Sequence, residues 1–154
     1  MSVTTAEVAE IICGVSTRVI DPGFRRLSPD QIHEKAPGDL VTDLDRQAEG
    51  ELSRLLTSAG GGIVVGEESV HDDASVLQEL TTAELTWVID PIDGTKNYVN
   101  GSTHHAVMVA EVQHGVTTRS WIWQPQLGHM WIAERGNGLV CDGEPVTSDR
   151  RRPD

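Results

Sequence analysis

Cysteine is scarce: the chain carries 2. Cys13 and Cys141 lie near opposite ends and form no Cys-x-x-Cys pair, so they suggest neither a disulfide framework nor a zinc-ligand spacing. No apolar run approaches the roughly 20 residues that cross a bilayer. No basic stretch precedes a hydrophobic one near the N-terminus, so no signal peptide is expected. Positive charge is also short. Lys and Arg number 12 against 24 Asp and Glu, for a net charge of −12, which argues against nucleic acid and against an anionic membrane as partners. Gly-x-Ser-x-Gly, P-loop and Rossmann glycine patterns are missing, and there is no internal repeat. The expected compartment is the reducing cytoplasm. With 154 residues and 38% apolar content, the chain is long enough for one globular domain with a real core.

What is present begins with helical periodicity. Val8, Ile11, Ile12, Val15 and Val19 recur at helical spacing over residues 4–20, and Asp21-Pro22-Gly23 stops that helix. Residues 23–39 are polar and irregular and read as a mobile loop. A second helix starts near Thr42, where Thr42 and Asp45 form a capping-box pattern with Asp in place of Glu. Leu44, Ala48, Leu52, Leu55 and Leu56 mark its buried face, and Gly60-Gly61-Gly62 its end. Ile63-Val64-Val65 is a short buried strand running into Gly66-Glu67-Glu68-Ser69. Residues 70–84 are polar, with a helical turn around Val76, Leu77 and Leu80. Leu85-Thr86-Trp87-Val88-Ile89 is a second buried strand, followed by a short helix. Strands follow over 105–112, 116–123 and 129–134, with turn signals at His114-Gly115, Gly136-Asn137-Gly138 and Asp142-Gly143. The four tryptophans fall in these strands and read as packing residues. The fold class expected is α+β, with N-terminal helices packed on a largely antiparallel sheet. Residues 1–147 form the domain, and 148–154 are expected to be a disordered tail.

The chemistry concentrates in Asp90-Pro91-Ile92-Asp93-Gly94-Thr95. Two carboxylates three residues apart stand where a strand ends, and a glycine and a hydroxyl follow at a helix start. Carboxylates collect hard cations, and free N–H groups at a helix start collect phosphate. Glu67-Glu68 also follows a buried strand directly, so these acids can share one sheet edge. Clustered carboxylates repel unless a cation or protons compensate. A Mg²⁺ cluster is the economical explanation, because Mg²⁺ binds through few carboxylates plus substrate phosphate oxygens. Two such ions could clamp the attacking and leaving oxygens of a phosphoryl transfer. Asp45 on the second helix is by default a helix-start charge. The adjacent pair His104-His105 points to opposite faces of a strand and makes no zinc pair.

These motifs resemble the inositol monophosphatase family of Mg²⁺-dependent, lithium-sensitive phosphatases. Asp90-Pro91-Ile92-Asp93-Gly94-Thr95 is similar to the family signature, Gly66-Glu67-Glu68-Ser69 to its upstream metal motif, and Asp39-Leu40-Val41-Thr42 with Asp45 and Glu49 to its first block. Ala133-Glu134-Arg135-Gly136-Asn137-Gly138 and Cys141-Asp142-Gly143 are similar to the hairpin that ends its first domain. The resemblance implies roles. Glu67, Asp90 and the Ile92 carbonyl hold a first metal, Asp90 and Asp93 a second, and Glu67 reaches a third through water. Thr95, hydrogen-bonded to Asp45, orients and helps deprotonate the attacking water, so Asp45, Thr95 and Glu67 form the catalytic set. The amides of Gly94 and Thr95 cradle the phosphate. Lys35 and Glu68 support the site.

The resemblance also implies a longer chain, whose second half carries a Trp-Asp-x-Ala motif completing the second metal site. That C-terminal domain is expected to be absent here, leaving a surface for self-association, as a homodimer or otherwise. The reading is hydrolysis of a phosphomonoester of a small metabolite such as inositol monophosphate, with two or three Mg²⁺ ions. Histidinol phosphate, fructose 1,6-bisphosphate and 3′-phosphoadenosine 5′-phosphate are alternative substrates. A non-catalytic, metal-binding half domain is the second hypothesis. A glycosidase using two carboxylates is disfavoured because nothing else resembles a sugar cleft.

Overall fold

The computed structural model describes residues 3–147; the expected tail over 148–154 lies outside the described residues. Helix α1 (Thr5–Val15) starts at Thr4, whose side chain accepts from the Glu7 N–H while Glu7 reaches back, a complete capping box. The expected helix over 4–20 is not one regular α-helix. After Val15 the chain widens into a π-helical stretch, Ser16–Ile20, and closes with a 3₁₀ turn, Asp21–Gly23. The wider turn keeps Val19 and Ile20 buried. Helix α2 (Asp43–Gly60) begins as the sequence predicts: Thr42 caps it and Asp45 completes the box. Ala48, Leu52 and Leu56 on its inner face are fully buried.

The segment expected to be an irregular mobile loop instead holds a short 3₁₀ turn, Pro29–Gln31, and the first strand and turn of a β-hairpin. Strand β1 (Ile32–Ala36) pairs antiparallel with β2 (Asp39–Thr42). Gly38, at φ +79° in the connection, takes a conformation that a side chain would strain. The polar run His33-Glu34-Lys35 hides the strand from hydrophobic periodicity.

The main sheet has seven strands in sequence order: β3 (Ile63–Gly66), β4 (Leu85–Asp93), β5 (Ala106–Gln113), β6 (Val116–Gln124), β7 (His129–Glu134), β8 (Gly138–Cys141) and β9 (Glu144–Pro145). β3 and β4 run parallel, and the other neighbouring pairs are antiparallel. A parallel pair needs a crossover. Here α3 (Glu67–Asp72), a 3₁₀ turn and α4 (Glu79–Thr82) supply it. β4 runs on to Asp93, past the expected strand end at Ile89.

One sheet face takes α1 and α2. Trp87, Ile89, Val107, Val109 and Trp121 pack there against Val8, Ile12, Leu52 and Leu56. The two tryptophan rings lie 6.3 Å apart. Each indole N–H finds a backbone acceptor, Gly61 for Trp87 and Thr5 for Trp121. Buried indoles need such partners. The opposite face, with Val88, Met108, Ala110 and Ile122, stays half-buried. No helix among the described residues is long and apolar enough to cross a membrane.

Candidate functional site

The site forms at the C-terminal end of the parallel strand pair. Gly66 pairs with Ile89, so the residues that follow, Glu67 at the start of α3 and Asp90 within β4, come side by side. The register of β4 against β5 then slips: Asp90 opposes Met108 and Asp93 opposes Ala106. A bulge of this kind bends a strand and re-aims its side chains. Here Ile92 turns into the core and Asp93 is exposed. Gly94 then turns the chain at φ +81° into α5 (Thr95–Val99). A Cβ at Gly94 would stand 3.1 Å from the His104 carbonyl oxygen.

Asp45 enters from α2 and is fully buried. Its Oδ2 accepts from the Thr42 N–H at 2.8 Å and the Thr42 hydroxyl at 2.6 Å. The Thr95 hydroxyl lies 3.1 Å from Asp45 Oδ1 and 2.9 Å from the Ile92 carbonyl oxygen. Burial pushes the Asp45 carboxyl up, and the hydrogen bonds from Thr42 and Thr95 only partly restore it.

Lys35 reaches in from β1. Its Nζ donates to Glu67 Oε1 at 2.9 Å and to Glu68 Oε1 at 3.2 Å. Burial alone would pull this ammonium down; the two glutamates reverse that and hold it up at about 12. Glu68 is itself buried, and burial pushes its carboxyl up despite Lys35.

Glu67, Asp90, Ile92, Asp93, Gly94 and Thr95 line one polar cavity of about 230 Å³. Asp45 stands behind Thr95, and Lys35 and Glu68 adjoin through Glu67. All the residues singled out from the sequence therefore meet at one place. A larger cavity of about 490 Å³ opens on the apolar sheet face and shares Glu67 and Asp90 at its edge. Asp93 and Thr95 line only the smaller one.

Glu49 has a part that the sequence reading left undefined. It lies one helical turn after Asp45, on the same side of α2. Its carboxylate accepts from the Glu68 and Ser69 N–H groups at 2.8 and 3.0 Å and from the Ser69 hydroxyl. It thus caps α3 and fixes the backbone that presents Glu67. The i,i+4 spacing puts Glu49 on the Asp45 side of α2, but its partners are backbone N–H groups of another element, which no spacing signals.

The donor set suits a hard cation. Asp90 Oδ1 and Glu68 Oε2 are buried without a hydrogen-bond partner. Asp90 is held well above the ordinary carboxylate range, first by burial, then by the charge and hydrogen bond of Glu67, then by Asp93 and Asp45. Buried carboxylates crowded in this way call for protons or a cation. An all-oxygen set of carboxylates and one carbonyl fits Mg²⁺.

A sequence model of the inositol monophosphatase family matches residues 3–152. Inositol-1-monophosphatase ImpA of Mycolicibacterium smegmatis is 32% identical over 145 residues, 94% of this chain and 49% of that protein. Nus factor SuhB of Vibrio cholerae is 33% identical over 116 residues, 75% of this chain and 42% of that protein. The chain thus spans about half the length of the curated relatives it matches. Among solved structures, a Staphylococcal inositol monophosphatase-1, an inhibitory complex soaked in LiCl, superposes with a TM-score of 0.76 at 20% identity. It covers 96% of this chain and 55% of that one, and shows the shared fold. The family match over nearly the whole chain, together with these relatives, places the protein in the inositol monophosphatase family.

Proposed function

We propose that this chain carries the metal-binding and water-activating half of a Mg²⁺-dependent phosphomonoesterase. Its substrate class would be a small phosphorylated metabolite such as inositol monophosphate. One observation carries the reading: Asp90 holds a buried, unpartnered carboxylate oxygen on the same polar cavity as Glu67, Asp93 and Thr95. Glu67, Asp90 and the Ile92 carbonyl would hold one ion, and Asp90 and Asp93 a second. Glu67 would reach a third through water. When bound, Mg²⁺ supplies charge neutralisation to the phosphoryl group and a more acidic water.

The chain's own groups do the rest. The Gly94 and Thr95 N–H groups would donate to phosphate oxygens; both residues line the polar cavity. The Thr95 hydroxyl accepts a proton from the attacking water as it gives its own to Asp45. Burial raises the proton affinity of Asp45, which makes it a stronger proton acceptor. Glu67 shares the base work, and Lys35 and Glu68 balance charge beside it.

The test is phosphate release from inositol 1-phosphate by the 154-residue chain with millimolar Mg²⁺, with and without lithium, with histidinol phosphate, fructose 1,6-bisphosphate and 3′-phosphoadenosine 5′-phosphate assayed in parallel. Release that lithium inhibits and Asp90→Asn abolishes supports the proposal. Release unchanged in Asp90→Asn overturns it. The half-length match supports a second reading, a metal-binding domain without turnover of its own. Its signature is Mg²⁺ binding by calorimetry, lost in Asp90→Asn, with no release from any of the four substrates.

A further inference from the structure

A second group of metal-ligating side chains lies on different elements from the carboxylate site. His129 opens β7, Cys141 closes β8, and Asp142 begins the turn into β9. Trp131 and Cys141 face each other across the antiparallel pair. His129 is two residues before Trp131, so it shares that sheet face and is the diagonal neighbour of Cys141. A ligand atom from each of His129, Cys141 and Asp142 lies within 4.8 Å of the others.

The carboxylate is held in place. Asp142 Oδ1 accepts from the Met130 N–H at 2.8 Å, and the Asp142 N–H donates to the Met130 carbonyl at 2.9 Å. With Oδ1 engaged, Oδ2 lies 2.8 Å from His129 Nδ1 and 3.7 Å from Cys141 Sγ. Asp142 has φ +51°, a region where Asp is several-fold over-represented among non-glycine residues. A hydrogen bond that orients a ligating carboxylate is the usual support around a metal site.

We propose that His129, Cys141 and Asp142 form a surface site for Zn²⁺ or a similar borderline-soft divalent ion. The donors are one imidazole nitrogen, one sulfur and one carboxylate oxygen. Mg²⁺ and Ca²⁺ prefer oxygen alone, whereas imidazole and thiolate select zinc-like ions. Tetrahedral ligands at the usual zinc distances stand about 3.3–3.8 Å apart, so small side-chain rotations close the set. Water fills the fourth position. Binding releases the Cys141 thiol proton to solvent and leaves the sulfur as thiolate. The ion would clip the start of β7 to the β8–β9 turn.

Cobalt(II) is the spectroscopic probe, titrated into the full 154-residue chain with excess Mg²⁺ present to occupy the carboxylate site. A thiolate-to-cobalt charge-transfer band in the near ultraviolet is expected, displaced by Zn²⁺. It should vanish in Cys141→Ser and persist in Cys13→Ser. His129→Ala and Asp142→Asn should weaken binding about tenfold or more. Zn²⁺ should also protect Cys141 from alkylation. Circular dichroism without metal checks that each variant folds; His129→Ala carries the test if Cys141→Ser does not fold. Absence of the band in the folded wild-type chain overturns the proposal, as does a band that survives Cys141→Ser or depends on Cys13.

Discussion

The backbone N–H of Glu68 donates to Glu49 Oε2 at 2.8 Å across 19 residues of sequence. Helix α2 thereby holds the start of α3, and with it Glu67, at the end of β3. Gly66 makes the approach feasible, since a Cβ there would stand 2.2 Å from the Glu49 carboxyl carbon. Glu49→Ala should cost about 1.5–3 kcal/mol, the range for a hydrogen bond to a charged group. Gly66→Ala should cost about 1–3 kcal/mol through overpacking. Urea denaturation measures both losses, and calorimetry should show weaker Mg²⁺ binding in each folded variant.

Thr95 and Asp45 are 50 residues apart and 3.1 Å apart in space. A hydroxyl that relays a proton cannot be replaced by a methyl group. Thr95→Ala should lower phosphate release by about 10²–10⁴-fold, the usual worth of general acid–base catalysis. Thr95→Ser keeps the hydroxyl and should retain most of the rate. Melting temperatures of both should stay near wild type, because Thr95 is only half-buried on the five-residue helix α5. Equal rates in the Ala and Ser variants would remove Thr95 from the proton path.

The contrast between Asp45 and Glu49 shows what the sequence makes legible. The Thr42–Asp45 box is local, its two residues three positions apart, and its geometry follows from the pattern. Glu49 acts on backbone N–H groups of another element, which no side-chain pattern reveals. The order of helices, then a largely antiparallel sheet, is likewise readable because burial imposes periods of 3.6 and 2. The β1–β2 hairpin is not, because His33-Glu34-Lys35 has no apolar alternation and is held by pairing with β2. The bulge between Asp90 and Asp93 depends on the register of β5. His129 and Cys141 become neighbours only through the β7–β8 pairing.

Glu111 and Arg119 set an acid limit on stability. Glu111 is 2% exposed, and Arg119 donates from Nε to its Oε1 at 3.0 Å and from Nη2 to its Oε2. Burial pushes the Glu111 carboxyl up, but the hydrogen bonds from Arg119 and Thr118 and the Arg119 charge outweigh it and leave it below its ordinary value. A depressed carboxyl stabilises the fold above the unfolded value, about 4.3 for Glu. That contribution is lost as pH falls through the lower, folded value. Stability measured by denaturation should therefore decline below about pH 4.3, and Glu111→Gln should flatten this part of the profile. Arg119→Leu leaves a buried carboxylate unpaired and should cost about 3–5 kcal/mol at neutral pH.

The sheet face away from α1 and α2 is where self-association is expected. A solvated face of an antiparallel sheet is normally polar, yet Val88, Met108, Ala110 and Ile122 lie half-buried there. Leu77 and Leu80 from the crossover join them around the cavity of about 490 Å³. Exposed apolar surface of this kind marks protein contacts. Sedimentation velocity at rising concentration should show a dimer, and Ile122→Lys should return the chain to monomer with Mg²⁺ binding intact. Ile122 pairs with Met108 and Trp131 and lies outside the residues lining the polar cavity. A wild-type chain that stays monomeric at every concentration would assign this surface no role in pairing.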